Sequence, residues 1–443
     1  MERNSKMSQK KRLVLLELNE INFDAVQCYV DQGLPLPGFK KILNSNSITT
    51  QAETKYEQLE PWIQWPSIHT GKTFAEHKIF RLGDIVDYPE DQLFEKIERA
   101  GFKVGAVSPM NASNKLKSPA YFIPDPWTLT PSDGSFFSKS LHEAISQAVN
   151  DNSQSKLTLK SIFSLGLSFL CLVKASRLIP MMKFAISSKR KPWKKALFLD
   201  MFLFEVHQTF FKRKKPNFST LFLNAGAHIQ HHYFFNSIFC ASEELKNPDW
   251  YIEDKEDPFK EMLLIYDAIL LKLLNSDSIE LVVATGFSQK VHKHLTFYYR
   301  LKEHGNFLNE LGIDFKAIHP RMTRDFLISF ETLEQANLAE KALSEILLHG
   351  ERVFGEIDNR GSDLFVTLTY DKEITNNCSI VISGLKTSWL DHVTFVAIKN
   401  GEHQSKGYAY FSDRIARLSP PNDSNITEIN KSLLRYFEID EAV

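Results

Sequence analysis

Short aliphatic runs alternate with segments of helical periodicity along most of this chain. RLVLLEL, beginning at Arg12, reads as a buried strand, and FDAVQCYVDQG after it reads as a helix closed by Gly33. PEDQLFEKIERAGFKVGAVSP reads as a helix, a glycine and then a strand near residues 103–107. FSTLFLN and IELVVAT are further strands, and FKEMLLIYDAILLKLLN between them carries apolar residues at helical spacing. RDFLISF leads into the helical ETLEQANLAEKALSEILLHG, DLFVTLTY and HVTFVAIK are strands, and NITEINKSLLRYFEI is a closing helix. Parallel neighbours need a crossover long enough to hold a helix, so this alternation predicts a mostly parallel sheet covered on both faces. The fold class is therefore α/β, a three-layer α/β/α sandwich. Functional groups in such folds gather beyond the carboxyl ends of the strands.

One region breaks the alternation. Residues 151–216 contain SIFSLGLSFLCLV, then two basic clusters, KRKPWKK and KRKK, on either side of the aromatic run ALFLDMFLFEVHQTFF. The apolar run of 13 residues falls short of the roughly 20 that a membrane-spanning helix needs. Two readings stand. The region is a helical insertion packed on the main domain, or it is a cap that meets a membrane surface or lipid through residues 155–215. The domains are then 10–150 and 217–443, two parts of one α/β domain, with 151–216 inserted between them.

A formal net charge of -1 over 443 residues excludes a global nucleic-acid binder, and no nucleic-acid partner is expected. Cys28, Cys171, Cys240 and Cys378 form no CxxC pair, which fits reduced thiols in a cytoplasmic protein. The polar, basic N-terminus predicts no secretory leader. The expected location is cytoplasmic, peripheral to a membrane if the cap reading holds.

Four polar clusters follow predicted strands or form turns. They are Glu17, Asn19 and Glu20; Glu60, Gln64, Ser67, His69 and Thr70; Asn224, His228, Gln230, His231 and His232; and His403. Three histidines within five residues, directly after a strand, form the most informative group. On a helix His228 shares a face with His231 or His232, as two metal ligands do, and imidazole also moves protons near neutral pH. Backbone-bonded histidines are the plainer alternative. Ser67 and His69 do not form a catalytic pair on spacing alone. His77 reads as structural, His292 and His294 as an exposed loop, and Trp62 and Trp65 as wall packing.

Taken in order, these segments resemble the alkaline phosphatase superfamily, in particular its phosphodiesterase/nucleotide-pyrophosphatase branch. LLELNEINFDAV is similar to that branch's opening strand and helix, GLPLPGFKKIL to its following Gly-x-Leu-Pro helix, and WPSIHTGKTFAEH to its Ser-Ile-x-Thr-Gly-Lys segment. NAGAHIQHHYF stands where Asp-x-x-x-His is expected, VVATGF where Ser-Asp-His-Gly-Phe is expected, and GEHQSKGYAYF resembles the late Gly-x-His segment. The resemblance implies an alkaline-phosphatase-like sandwich and a site with two metal ions, usually zinc, plus a Thr or Ser nucleophile. Here the implied metal acids become Asn19 and Asn224, and the Asp-His pair becomes Ala284-Thr285. His228 and His403 remain, and the nucleophile region falls at Glu60 and Pro61.

Loss of acids lowers the charge that would offset two dications, so the usual two-zinc site is not expected. The expectation is a single divalent ion, zinc or another, on His228, His403 and Glu20. Catalytic roles fall to Glu60, His228 and His231. Anion or substrate contacts fall to Asn19, Gln64, Asn224, Gln230 and Thr285. The function read from this is hydrolysis or transfer of a phosphate- or sulfate-type ester on a small-molecule or lipid-linked anionic substrate. The alternative is a catalytically silent relative that binds an anionic ligand or a protein partner.

Overall fold

The computed structural model of the chain describes residues 12–150, 158–242, 244–321, 324–382 and 384–439. The N-terminal segment read for a leader and residues 151–157 of the insertion lie outside them. An eight-stranded sheet forms the centre. Its strands are β1 (Arg12–Leu18), β2 (Ser47–Gln51), β3 (Val104–Val107), β4 (Tyr121–Ile123), β5 (Phe218–Leu223), β6 (Ile279–Ala284), β7 (Lys406–Phe411) and β8 (Ser424–Asn425). The order across the sheet is β8-β2-β7-β6-β1-β5-β3-β4. Pairs from β6 through β4 are parallel, and only β7 runs against both of its neighbours. The protein is thus an α/β fold with a mostly parallel central sheet. Every residue of β5, and all but the first of β1 and β6, is buried. Side chains alternate between faces along a strand, so burial of both sets means cover on both faces.

One helix was not legible as such. Pro61–Thr70 is α1, although it carries Pro61 and an internal Pro66 and was read only as a polar cluster. Nine of its ten residues are buried, so it shows no polar face and no 3.6-residue hydrophobic rhythm to detect.

Within the region read as an insertion, α2 (Leu159–Leu172), α3 (Ala175–Ser187) and α4 (Lys194–Lys214) are helical. None of the described helices is long and apolar enough to cross a membrane. Helix α4 reaches the functional end of the sheet through one residue. Asp200, buried in α4, accepts from the backbone N–H of Asn224 at 3.3 Å and of Ala225 at 2.8 Å, and from the Tyr266 hydroxyl at 2.5 Å. Those amides open α5 (Ala225–Tyr233), whose own cap residue Asn224 makes no side-chain cap bond. Burial pushes the Asp200 carboxyl up to about 6, against the hydrogen bonds from Tyr266 and the backbone. Asp200→Ala strips a cap and leaves buried donors unpaired, an expected cost of about 2–4 kcal/mol in urea unfolding. Asp200→Asn keeps an acceptor and is expected to lose clearly less.

Gly226 lets α5 sit against the turn after β1. A Cβ there would meet Ile21 Cδ1 at 2.0 Å.

Residues 242–254 and 291–401 form a second compact unit, which the reading of 217–443 as one continuous part of the α/β domain did not separate. It holds a four-stranded antiparallel sheet, in the order Glu356–Asn359, Asp363–Thr367, Asp325–Ser329 and Ala317–Pro320, with a helix at Leu333–Ser344. His292 and His294 lie on the strand Ser288–Leu301 rather than in a loop, with His294 exposed.

Candidate active site

Strand register brings the scattered polar clusters together. Leu18 of β1 pairs with Leu223 of β5, and Glu17 of β1 with Ala284 of β6. Asn19 and Glu20, Asn224, and Thr285 therefore leave three adjacent strands at the same edge. His403 arrives near the end of the strand Val393–Gln404, just ahead of β7. Glu60 comes from the N-cap of α1, where its side chain makes no cap bond.

Glu20 is the hub. Its φ of 62° places a non-glycine residue in the left-handed region, a conformation that persists only where the surroundings over-determine it. They do so here. Its N–H donates to the Thr285 carbonyl at 3.1 Å, and its carbonyl accepts from Gln289 N–H at 3.2 Å and from Gln230 Nε2 at 2.9 Å. The buried carboxylate takes Asn19 Nδ2 on Oε1 at 3.1 Å and Gln289 Nε2 on Oε2 at 2.5 Å.

His231 and His403 face the same oxygen. Their Nε2 atoms lie 3.2 Å and 3.1 Å from Glu20 Oε2, and 3.1 Å from each other. Burial opposes ionisation of Glu20, but His403 and His231 outweigh it and hold the carboxyl well below the usual range. Burial also works against charge on His403, and there Glu20 and then Glu60 outweigh it and raise the imidazole. Glu60 Oε2 lies 3.9 Å from His403 Nδ1. Burial pushes the Glu60 carboxyl up to about 7, against the pull of His403 and with Glu20 adding. Phe287 stands edge-on to the His403 ring at 4.9 Å. The side chains of His231 and Glu60 remain 34% and 29% exposed, so the site opens on their side.

The donor set fits one cation. Three ligands of a four-coordinate divalent ion with bonds of about 2.0–2.1 Å stand about 3.3–3.4 Å apart. The separations of 3.1–3.2 Å between Glu20 Oε2 and the two Nε2 atoms are close to that. Two imidazoles and one carboxylate suit zinc and other first-row divalent metals. Among the described residues this is the group of three or more ligand side chains that converges, within 4.8 Å.

The other expected residues are placed differently. His228 is not in the cluster: its ring packs on His232 at 4.5 Å, and burial together with His231 pushes it down to about 4. His231, three residues on, takes the position that the family resemblance assigned to His228. Asn19 is spent inside the protein, donating to Glu20 and to Asn224 Oδ1 at 2.8 Å and accepting from Trp65 Nε1 at 2.8 Å. Gln230 ties the Glu20 turn, with Nε2 on the Glu20 and Gly226 carbonyls and Oε1 taking Asn22 N–H. Gln64 holds the 53–58 loop through Glu53 N–H and the Gln58 carbonyl. Thr285 is buried and accepts Tyr408 N–H at 2.9 Å. Of the expected anion contacts, Asn224 is the one left partly exposed, with Oδ1 turned to Asn19. Ser67 is locked to His77 Nε2 at 2.9 Å and to the Ile63 carbonyl, both side chains buried, which is a structural use of each.

No family model matches the sequence, and no curated protein matches it. Solved structures do. Murine ectonucleotide pyrophosphatase/phosphodiesterase 5 shares 11% identity at a TM-score of 0.42, over 98% of this chain and 96% of that one. Phosphonoacetate hydrolase from Sinorhizobium meliloti 1021 shares 12% at 0.41, over 96% of each chain. A variant of the alkaline phosphatase PafA shares 13% at 0.46, over 98% and 96%. These structural neighbours are alkaline phosphatase superfamily proteins. At such identities no residue's role transfers, and the chemistry of the site follows from the side chains described above.

Proposed function

We propose that the protein hydrolyses or transfers a phosphate- or sulfate-type ester group on a small or lipid-linked anionic substrate, with one divalent cation held by Glu20, His231 and His403. The convergence of those three side chains at the carboxyl edge of β1, β5 and β6 carries this reading. When bound, the ion supplies Lewis-acid polarisation of the ester. The rest falls to the chain's own groups. Gln230 and Gln289 hold the Glu20 turn and carboxylate in place. Asn224 donates from Nδ2 to an anionic oxygen of the substrate. Glu60, at the open side and without a cap bond, takes the proton of the attacking water or attacks as a carboxylate. Two ions do not fit this donor set, because Asn19 and Asn224 bring amides and Asn19 is fully engaged.

Metal analysis of purified protein, followed by turnover of phosphomonoesters, phosphodiesters and sulfate esters, tests the reading. One ion per chain and turnover of at least one class are expected. A protein that holds no ion after zinc or manganese loading and turns over none of the three rejects it, and leaves a silent relative that binds an anion.

The tethers of the Glu20 turn have their own signature. Gln230→Leu keeps the volume and removes the grip on the Glu20 carbonyl. Metal affinity is expected to fall about 10- to 100-fold, as for loss of other partners that orient a ligand. Isothermal titration with zinc measures it, well below the melting temperature, which is itself expected to drop because the buried Asn22 N–H loses its acceptor.

A further inference from the structure

Helices α2 and α3 present an apolar surface that the rest of the described molecule does not cover. Seven of the nineteen strongly exposed large hydrophobic residues among the described residues fall on these two helices. On α2 the outward positions include Leu159, Phe163 and Leu170, with Phe163 71% exposed. On α3 they are Ile179, Met182 and Ile186, with Ile179 67% exposed. Both sets are spaced by one or two helical turns, so each forms one stripe along its helix. The buried residues, Ser168 and Leu172 on α2 and Met181 on α3, fall on the opposite face of each helix. Contiguous exposed apolar surface of this kind marks a contact site.

Charge says what the contact is with. Between Thr158 and Lys195 the sequence has nine Lys or Arg and no Asp or Glu, in a chain whose formal net charge is -1. Arg177, Lys191 and Lys194 turn inward to Glu205, Glu256 and Glu261. Lys174, Lys183, Lys189, Arg190 and Lys195 stay exposed. A second copy of the chain would set these cations against their own kind. An anionic bilayer surface satisfies both features at once, taking apolar side chains below the headgroups and Lys and Arg at their level. Length decides the orientation. The 14 residues of α2 extend about 21 Å at 1.5 Å per residue, short of the roughly 30 Å hydrocarbon core, so the helix lies along the surface.

We infer that α2 and α3 form an interfacial docking surface for anionic phospholipid membranes. This does not depend on the chemistry of the Glu20 site. The test is co-sedimentation of the full chain with vesicles of phosphatidylcholine alone and of phosphatidylcholine with phosphatidylserine, at low and high salt. Binding to the anionic vesicles, weakened at least tenfold by high salt, is expected. The triple variant K183E/K189E/R190E is expected to lose well over tenfold, since each cation near an anionic surface is worth about fivefold in affinity. Phe163→Asp with Ile179→Asp changes only exposed positions and is expected to abolish binding while the thermal melt stays in place. Protein left in the supernatant with anionic vesicles overturns the inference, and so does equal binding to both vesicle types. A solution dimer that the Phe163→Asp, Ile179→Asp variant dissolves also overturns it, in favour of a second copy as the occupant.

Discussion

Glu20→Gln is expected to weaken zinc binding by roughly 100-fold or more, since loss of even an outer partner of a ligand costs 10- to 100-fold. The substitution keeps the side chain's size and leaves the backbone turn to its three hydrogen bonds, but it removes the charge and sets an NH2 group against the amide donor of Asn19 or Gln289. What remains is two imidazoles without an anion to complete the set. His403→Ala removes a different corner of the same triangle and is expected to give the same loss. Titration of metal-stripped protein measures both, and turnover of any ester found to be a substrate should fall in parallel. Retention of wild-type affinity in either variant would mean that the ion, if one binds, sits elsewhere. Glu60→Gln separates binding from chemistry. It is expected to cost about 10²- to 10⁴-fold in turnover, the range for a positioned acid or base, with metal affinity close to wild type.

The second large effect is on stability in acid. His207, buried on α4, has Nε2 at 2.9 Å from the Ser219 hydroxyl, while its Nδ1 has no partner. Burial, with Lys272 adding, pushes its imidazole down to about 3. The native state therefore keeps it neutral, whereas the unfolded chain protonates it at about 6.5. Above that pH neither state carries the proton and the contribution is constant. Below it the unfolded state gains a proton that the native state refuses, so stability falls as pH drops from 6.5 towards 3. From pH 7 to pH 5 this amounts to about 2 kcal/mol for one histidine. His77, pushed down to about 4 by burial, works in the same direction. Asp200, raised to about 6, works the other way, since its native state holds a proton that the unfolded chain has released. The isolating experiment is urea unfolding of wild type and His207→Asn at both pH values. The variant is expected to lose about 2 kcal/mol less between them, whatever its stability at pH 7. Parallel losses in the two proteins would show that His207 titrates normally in the fold.

Much of the sheet was legible because its strands are short aliphatic runs set between helical segments. β1, β5 and β6 each lie within a stretch quoted for that reason, and the carboxyl-edge rule then put Asn19, Glu20, Asn224 and Thr285 at one rim. Helix α1 was not legible, since almost total burial erases amphipathic rhythm. Nor was the second unit visible, because its strands carry the same alternation as the first. At the site, sequence supplied the residue types and could not supply the direction of each side chain. Three histidines on one short helix look interchangeable by spacing. Which of them meets Glu20 depends on how α5 is rotated, and that depends on Gly226 against Ile21 and on the Asp200 cap. Amides raised a similar difficulty. Asn19, Gln230 and Gln64 looked free to bind an anion because sequence does not record that buried amides are consumed by neighbours. Asp200 carried no motif at all, and its signal was only one of two acids, with Glu205, in an aromatic helix.

That buried aspartate has a consequence for anyone who trims the chain. The amphipathic hairpin and the imidazole-bearing helix look like separate appendages, and residues 158–214 invite deletion as a dispensable ornament. Asp200 sits inside that stretch while gripping the first turn of the other helix. Excising it would unfasten His231 from a distance, and a shortened protein that failed to load metal would report a broken clasp, not a membrane requirement.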